Sequence, residues 1–294
     1  MSNAHLLQLA LGFGVVTGGI IALSAVGLSL QFGITNYVNF AFGELLTIGA
    51  YMTLLASRWI GQFWLAALIG IGVTAVFGVM INRVLLQRFV DRRSSTLTML
   101  IVTFALSLIL QSTIQGIWGA DYQRFDVPRI TTTVNVVGFL FTTRQLMMLA
   151  VAGVAMVGLH LLLTRTRLGR AMRATSDNSE LARVSGIRHK RISDWTWLLA
   201  SGLAGLSGVF LALTISSFTP YFGFQALFLV FAAVILGGIG RPYGAVAGAM
   251  VIGVAIEVSA VIVSPAYKDA VAFLIAIAVL LVRPNGLFNV RGKN

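Results

Sequence analysis

Apolar blocks about as long as a membrane span alternate with short polar segments along the whole chain. A helix that crosses a bilayer needs about 20 apolar residues. Nine blocks approach that length, at about 6–30, 38–57, 63–82, 97–118, 146–163, 195–215, 226–240, 244–263 and 270–282. The block at 226–240 is short, and 31–44 fits a break within a helix as well as a loop, so eight or ten spans stay open. The pattern predicts an all-α integral membrane protein, a multi-spanning helical bundle of about nine spans.

Composition supports this interpretation and excludes a water-soluble globular protein. The chain is 57% hydrophobic and only 10% charged, which is far from the average of soluble domains. Because the blocks leave no room for a separate soluble domain of ordinary size, we expect one transmembrane domain over residues 1–294. The first block has no basic segment before it and no plausible cleavage site, so it is expected to be a retained helix. The chain has no cysteine, which excludes disulfides.

The charge distribution predicts the orientation in the membrane. The formal net charge is +12, and the basic residues fall between the apolar blocks. If the segment at 83–96 is cytoplasmic, 16 of the 21 Lys and Arg residues lie on that side. The others are Arg58, Arg124, Arg129, Arg144 and Lys268. By the positive-inside rule the N-terminus lies outside and the C-terminus in the cytoplasm, and the membrane rather than nucleic acid explains the charge.

The longest polar segment, at about 164–195, contains signals for a short helix. Asp177 is an oxygen-bearing residue suited to a helix N-terminus, and Glu180 follows three residues later, where an acid suits the helix dipole. Gly186 is suited to end the helix in a left-handed conformation. The apolar residues recurring on one face are Leu181, Val184 and Ile187. A helix of about two turns is not stable alone in water, so it needs a docking surface. The alternative is a solvated basic loop that only obeys the positive-inside rule.

A polar, glycine-bearing run interrupts the second apolar block between Asn36 and Glu44. Irregular backbone at that depth is tolerated only where it is buried in protein or lines a cavity, and an acid there needs a partner or a proton. The run is therefore the best candidate for a translocation path. The alternative is that Asn39 and Glu44 only join helices through hydrogen bonds. Glu257, the other acid within an apolar block, has the same two interpretations.

Two glycine-rich segments have simpler explanations. Ala200–Gly208 has small residues at the spacing that lets helices pack closely. Leu236–Gly244 is predicted to be a tight turn, with Gly237 and Gly238 as candidates for the pore lining, and it lacks the strand and lysine that a phosphate loop needs. The predicted outside loop Ala120–Arg144 is either a contact for a soluble partner or an ordinary surface loop.

The chain offers no catalytic or metal-binding constellation. Its three histidines are His5, His160 and His189, which are far apart in the sequence. No grouping of serine, histidine and acid, and no metal-ligand spacing, can be assembled from the residues. We therefore expect no enzyme activity, no cofactor and no metal site.

With these motifs in place, the chain resembles the permease subunit of branched-chain amino acid ABC importers, the first of the two related permeases. The resemblance runs from near Gly12 to Phe288. Its motifs are Asn39–Glu44, Gly169–Ala171 with Arg173 and Ala174, Ala182 with Gly186 and Ile187, Leu236–Gly240 with Pro242, Gly244 and Ala245, Tyr267–Asp269 and Arg283–Phe288. Phe42 departs from the family's usual histidine. The departure leaves the solute open between branched-chain amino acids and the urea, amides or aromatic acids that similar permeases carry.

The resemblance implies a subunit of a binding-protein-dependent importer in the bacterial inner membrane. Its implied partners are a sister permease, two cytoplasmic ATPase subunits and an extracytoplasmic solute-binding protein. The candidate substrate path comprises Asn36, Asn39, Phe40, Phe42, Gly43, Glu44, Gly237 and Gly238. The resemblance gives the short helix at Asp177–Gly186 the role of a coupling helix that docks on an ATPase subunit. The candidate residues for this coupling are Arg173, Asp177, Glu180, Leu181, Ala182, Val184, Gly186 and Ile187.

Two other mechanisms stay open. A secondary carrier would be driven by protons bound at Glu44 and Glu257, because acids within a membrane mark proton relays. A passive channel is the third. Dependence of transport on ATPase subunits separates the importer from both.

Overall fold

The computed structural model describes residues 3–92, 94–127, 132–136 and 139–282. Its helices are α1 Asn3–Thr35, α2 Phe42–Ile60, α3 Phe63–Ile81, α4 Gln87–Asp91, α5 Thr96–Trp118, α6 Thr143–Arg165, α7 Arg167–Asp177, α8 Ser179–Val184, α9 His189–Ile215, α10 Phe222–Gly237, α11 Pro242–Ile262 and α12 Lys268–Val282. A π-helical segment, Asn82–Leu86, joins α3 to α4. The chain is therefore a predominantly helical membrane protein.

Six helices of the described part are long and apolar enough to cross a membrane. They are Leu6–Thr35, Phe63–Asp91, Thr96–Trp118, Thr143–Arg165, His189–Ile215 and Pro242–Ile262. Two shorter apolar helices are Phe222–Gly237 and Ala270–Val279. The remaining predicted span corresponds to α2, a 19-residue helix that carries Glu44 and Arg58. The count of nine spans stays a prediction.

The chain divides into two compact units. The first unit comprises the described parts of Met1–Ser29, Pro128–Val157 and Phe228–Asn294. The second comprises the described parts of Leu30–Val127 and Gly158–Leu227. The second unit holds the polar break before α2 and the polar segment between α6 and α9.

Close packing of α2, α3 and α9 builds the core of the second unit. A Cβ on Gly49 of α2 would lie 2.5 Å from the Cα of Gly205 of α9, and a Cβ on Gly205 would lie 3.1 Å from the Cβ of Thr74 of α3. Gly208 approaches the backbone of Leu46 in the same way. The predicted role of Ala200–Gly208 in tight helix packing is confirmed.

In the first unit, small residues bring α1 against α11. A Cβ on Gly14 would lie 2.7 Å from the Cα of Val254, and Gly18 contacts Gly253. The predicted turn after α10 is confirmed as well. Gly238 and Gly240 have φ values of 98° and 79°, which are left-handed conformations that glycine adopts without strain. Pro242 then starts α11.

The structure adds a two-stranded hairpin and a helix that the sequence pattern does not predict. Strands β1, Thr133–Val136, and β2, Phe139–Thr142, pair antiparallel with Thr133 opposite Thr142. Helix α7 occupies the first half of the polar segment that was expected to hold one short helix. The motif Arg283–Phe288 and the basic residues Arg93, Arg129, Arg291 and Lys293 lie outside the described residues.

Candidate functional site

The polar run between α1 and α2 forms a break in the helix, as the sequence suggested. Helix α1 ends at Thr35, and Asn36 has a φ of 55°, a left-handed conformation that asparagine tolerates better than most residues. Asn39 is buried. Its Oδ1 accepts from the Ala41 N–H at 3.0 Å, and its Nδ2 donates to Gln31 Oε1 at 3.2 Å. Asn39 therefore stabilises the backbone conformation of the break through both polar groups of its side chain.

Glu44, in the first turn of α2, is fully buried. Its Oε1 accepts from the Ser107 hydroxyl on α5 at 3.0 Å. Its Oε2 has no hydrogen-bond partner among the described residues. A buried carboxyl oxygen without a partner is costly. The Thr47 hydroxyl, about one turn farther along α2 and itself unpaired, is a neighbouring donor.

Other residues of the predicted path shape the surroundings of Glu44. The Phe40 N–H donates to the Thr103 hydroxyl on α5 at 3.3 Å, and the Phe42 side chain is fully buried. A Cβ on Gly43 would lie 2.8 Å from the carbonyl oxygen of Gly223, at the start of α10. Gly43 thus allows α10 to approach α2 one residue before the acid. Gly237 and Gly238 belong to the first unit, where they form the end of α10 and its turn.

The contacts of Glu44 and Phe40 on α5 were missed from the sequence. Thr103, Ser107 and Gln111 are spaced four residues apart, so they share one face of α5. All three are buried. Polar residues at that spacing within an apolar span were a signal that the face is turned toward protein. This spacing does not show which helix the polar face of α5 contacts.

The N-terminus of the predicted coupling helix needs a correction. Asp177 is the last residue of α7 and does not cap α8. The cap is Asn178, whose Oδ1 accepts from the N–H groups of Glu180 at 3.1 Å and Leu181 at 2.9 Å. Both residue types accept such bonds. Because α7 extends to Asp177, Asn178 is the residue that immediately precedes α8.

The C-terminus of the same helix agrees with the sequence. Gly186 has a φ of 85°. Its N–H donates to the carbonyl oxygen of Arg183, and the Ile187 N–H donates to that of Ala182, each at 3.0 Å. These bonds satisfy carbonyl groups at the end of the helix. Helix α8, Ser179–Val184, is thus closed at both ends.

Two large apolar side chains of α8 are exposed. Leu181 is 64% exposed and Val184 is 87% exposed. Ala182 is buried and Ile187 is half-buried, so they attach the helix to its own unit. Arg173 of α7, like Glu180, is exposed. The helix consequently presents two large apolar side chains beside charged ones.

Two ion pairs orient the start of α9, which follows α8. Arg83 in the π-helical segment lies 2.8 Å from Asp194. Lys190 lies 2.7 Å from Asp91, at the end of α4. Each pair has an exposed partner, so its contribution to stability is small. Their effect is to hold the chain that leaves α8 against the end of α4.

Glu257 differs from Glu44 because one of its two partners is a charged group. It lies in the first unit, where its Oε2 accepts from the Lys268 ammonium at 2.8 Å and its Oε1 from the Thr17 hydroxyl at 3.2 Å. Both carboxylate oxygens of Glu257 are therefore engaged. Among the described residues no group of three histidines, cysteines or acids could hold a metal ion.

Comparison with known proteins gives a match along nearly the whole chain. The family described as branched-chain amino acid transport system / permease component matches residues 10–280. The chain is 32% identical over 289 residues to the high-affinity branched-chain amino acid transport system permease protein LivH of Escherichia coli K12, covering 93% of this chain and 92% of the relative.

Two further relatives agree. The chain is 31% identical over 300 residues to the permease protein BraD of Pseudomonas aeruginosa, covering 96% of this chain and 95% of that one. It is 28% identical over 294 residues to a probable branched-chain amino acid transport permease protein LivH of Methanocaldococcus jannaschii, covering 95% and 91% of the two chains. No solved structure matches the chain significantly.

Proposed function

We propose that this chain, which belongs to the family of branched-chain amino acid transport system permease components, is the membrane-spanning subunit of an ATP-driven importer. The observation that carries the proposal is the family match over residues 10–280. In this proposal the chain supplies the solute path and no catalytic residue. ATP hydrolysis occurs in two cytoplasmic ATPase subunits, and a sister permease and an extracytoplasmic solute-binding protein complete the importer.

The proposed path starts at the break between α1 and α2 and includes Glu44. Its unpartnered Oε2 supports a role beyond joining helices, whereas the side-chain hydrogen bonds of Asn39 support a bracing role for that residue. The solutes we propose are branched-chain amino acids or a related small polar solute such as urea, an amide or an aromatic acid. The assignment of Gly237 and Gly238, at the end of α10 in the first unit, to a pore lining stays a prediction.

We further propose that α8 is the coupling helix. Its exposed Leu181 and Val184 offer apolar area to an ATPase subunit, and its closed ends let it move as a unit. When the two ATPase subunits close on each other, the subunit in contact with α8 would move this helix. The movement would then pass to α9. In the proposed orientation, α8 and the C-terminus lie in the cytoplasm and the N-terminus lies outside. The whole chain, residues 1–294, forms one transmembrane domain.

The test is uptake by membrane vesicles that contain the chain and its sister permease, with and without the ATPase subunits. We expect uptake of labelled solute in the presence of the binding protein and ATP. It should be lost when the ATPase subunits are omitted, and it should persist when the pH gradient is collapsed. Uptake driven by a pH gradient without ATPase subunits would instead identify a proton-coupled carrier.

The carrier mechanism needs Glu44 and Glu257 to exchange protons. Both oxygens of Glu257 are already engaged, one with the Lys268 ammonium and the other with the Thr17 hydroxyl, and this opposes that role. No observation favours the passive channel. The importer is therefore the function that the residues support best.

A further inference from the structure

A line of facing residues, which we call the α2–α5 seam, extends from Glu44 along two helices of the second unit. Phe40 contacts Thr103, and Glu44 contacts Ser107. Farther along, the Tyr51 and Trp118 ring centroids are 5.3 Å apart. Residue numbers rise together on both helices, so α2 and α5 run parallel along the seam.

Gln111 lies within this seam, although neither the sequence analysis nor the family match assigned a role to it. It is one turn beyond Ser107, or about 6 Å along the helix axis. Three residues later Ile114 packs in one buried cluster with Ile48 and Tyr51. Contacts to α2 on both sides of Gln111 therefore place it at the level between Glu44 and Tyr51.

The polar groups of the seam are incompletely satisfied. Gln111 is 8% exposed, and its Nε2 has no hydrogen-bond partner among the described residues. Glu44 Oε2 and the hydroxyl groups of Thr47 and Tyr51, all on α2, are in the same state. Native proteins pair nearly all buried polar groups. Glu44 Oε2 as an acceptor and the Gln111 amide as a donor, on two helices that meet at Ser107, are complementary to a ligand that carries both kinds of group.

Aromatic side chains close one end of the seam. The Tyr51 ring lies 5.3 Å from the Phe218 ring as well as from Trp118. The backbone of Phe218 is paired with that of Gln123 through hydrogen bonds of 2.8 and 2.9 Å. The polar part of the seam is therefore bounded at this end by a cluster of apolar rings.

From this arrangement we infer that Glu44, Ser107 and Gln111 form a solute-contact site on the translocation path. The ligand is a small solute with a hydrogen-bond donor, such as an ammonium or amide N–H, and an acceptor, such as a carboxylate or carbonyl. Glu44 Oε2 accepts from the first group and the Gln111 amide donates to the second. The inference rests on the proposed function, and it adds α5 to a path so far assigned to the break and α2.

Cysteine protection tests this inference directly, because the native chain has no cysteine. Gln111→Cys is introduced into the complete importer and treated with 2-aminoethyl methanethiosulfonate. The unreacted thiol is then counted on the denatured chain. Thr113→Cys is the control, because Thr113 is exposed and lies about 200° around α5 from Gln111. Leucine, phenylalanine, urea and acetamide are the probes, and the solute used is whichever the unaltered importer takes up.

We expect that solute to slow modification of Gln111→Cys at least about threefold and to leave the rate for Thr113→Cys unchanged. A second variant, Gln111→Met, keeps the shape of the side chain and removes its donors. Uptake by Gln111→Met should fall at least about tenfold, while the yield of complex and its retention of ATPase subunits stay normal. If Gln111 only joins helices, an apolar group of the same shape is nearly neutral.

The outcomes separate this inference from the proposed function. ATP-dependent uptake by the unaltered importer, together with an unprotected Gln111→Cys or normal uptake by Gln111→Met, overturns the solute site alone. Uptake that does not need the ATPase subunits overturns the proposed function, and the solute site on an ATP-driven path falls with it. Protection of Gln111→Cys with reduced uptake by Gln111→Met supports both.

Discussion

Replacement of Leu181 by aspartate should release the ATPase subunits while the chain itself stays folded. Leu181 is 64% exposed, so most of its apolar area is available to a partner. Complete burial of a leucine side chain contributes about 1.5–3 kcal/mol, and the exposed part of Leu181 therefore roughly 1–2 kcal/mol. That difference weakens binding about 5- to 30-fold. Burial of an unpaired carboxylate adds to the loss, so we expect binding at least about tenfold weaker.

The same exposure predicts little effect on the permease alone. Substitutions at exposed positions change the free energy of unfolding by about 0.5 kcal/mol or less. Purified complexes in lipid are assayed for retained ATPase subunits, for hydrolysis stimulated by the binding protein and for uptake. Ser176→Asp is the matched control, because it adds the same charge at an exposed position of α7. Normal retention, hydrolysis and uptake by Leu181→Asp would refute the coupling role of α8.

Four further predictions concern Glu44, the turn after α8, the orientation in the membrane and the packing of α9. Glu44→Gln should reduce uptake and leave assembly intact, whereas normal uptake would assign Glu44 a structural role. Gly186→Val should cost roughly 1–2 kcal/mol in the turn after α8, since valine disfavours positive φ, and hydrolysis should lose its coupling to uptake; coupled transport at the normal rate would contradict this. In intact cells an impermeant thiol reagent should label Thr132→Cys and spare Ser185→Cys, and the reverse pattern would invert the orientation. Gly208→Val should lower the thermal stability of the purified chain, because its Cβ would meet the backbone of Leu46, and an unchanged melting temperature would show that α9 can shift.

Local chemistry explains what could be predicted about the coupling segment. The end of α8 depends on Gly186 and on hydrogen bonds within five residues, so the sequence alone indicated the turn. The start could not be assigned correctly, since Asp177 and Asn178 are adjacent and both can cap a helix. The choice depends on α7, whose Met172 and Thr175 are buried against other parts of the unit. That packing cannot be deduced from the capping signals.

The candidate path likewise combines features that the sequence predicts with a contact that it does not. The polar run before α2 and the acid at Glu44 were recognisable because lipid does not tolerate them. The partner of Glu44 was not recognisable, because Ser107 is 63 residues away along the chain. Periodicity shows that Ser107 and Gln111 share a face of α5, but it does not name the neighbouring helix.

The sequence by itself determined that the chain is a helical membrane protein, where most of its helices lie and which family it belongs to. These properties depend on the length of apolar blocks, on backbone preferences of glycine and proline and on residue identity. Only the tertiary structure decided that Glu44 faces α5, that Glu257 is paired with Lys268 and that Leu181 and Val184 are exposed. Each of these facts depends on which helices are neighbours, and neighbours are selected by the combined packing of side chains distant in sequence.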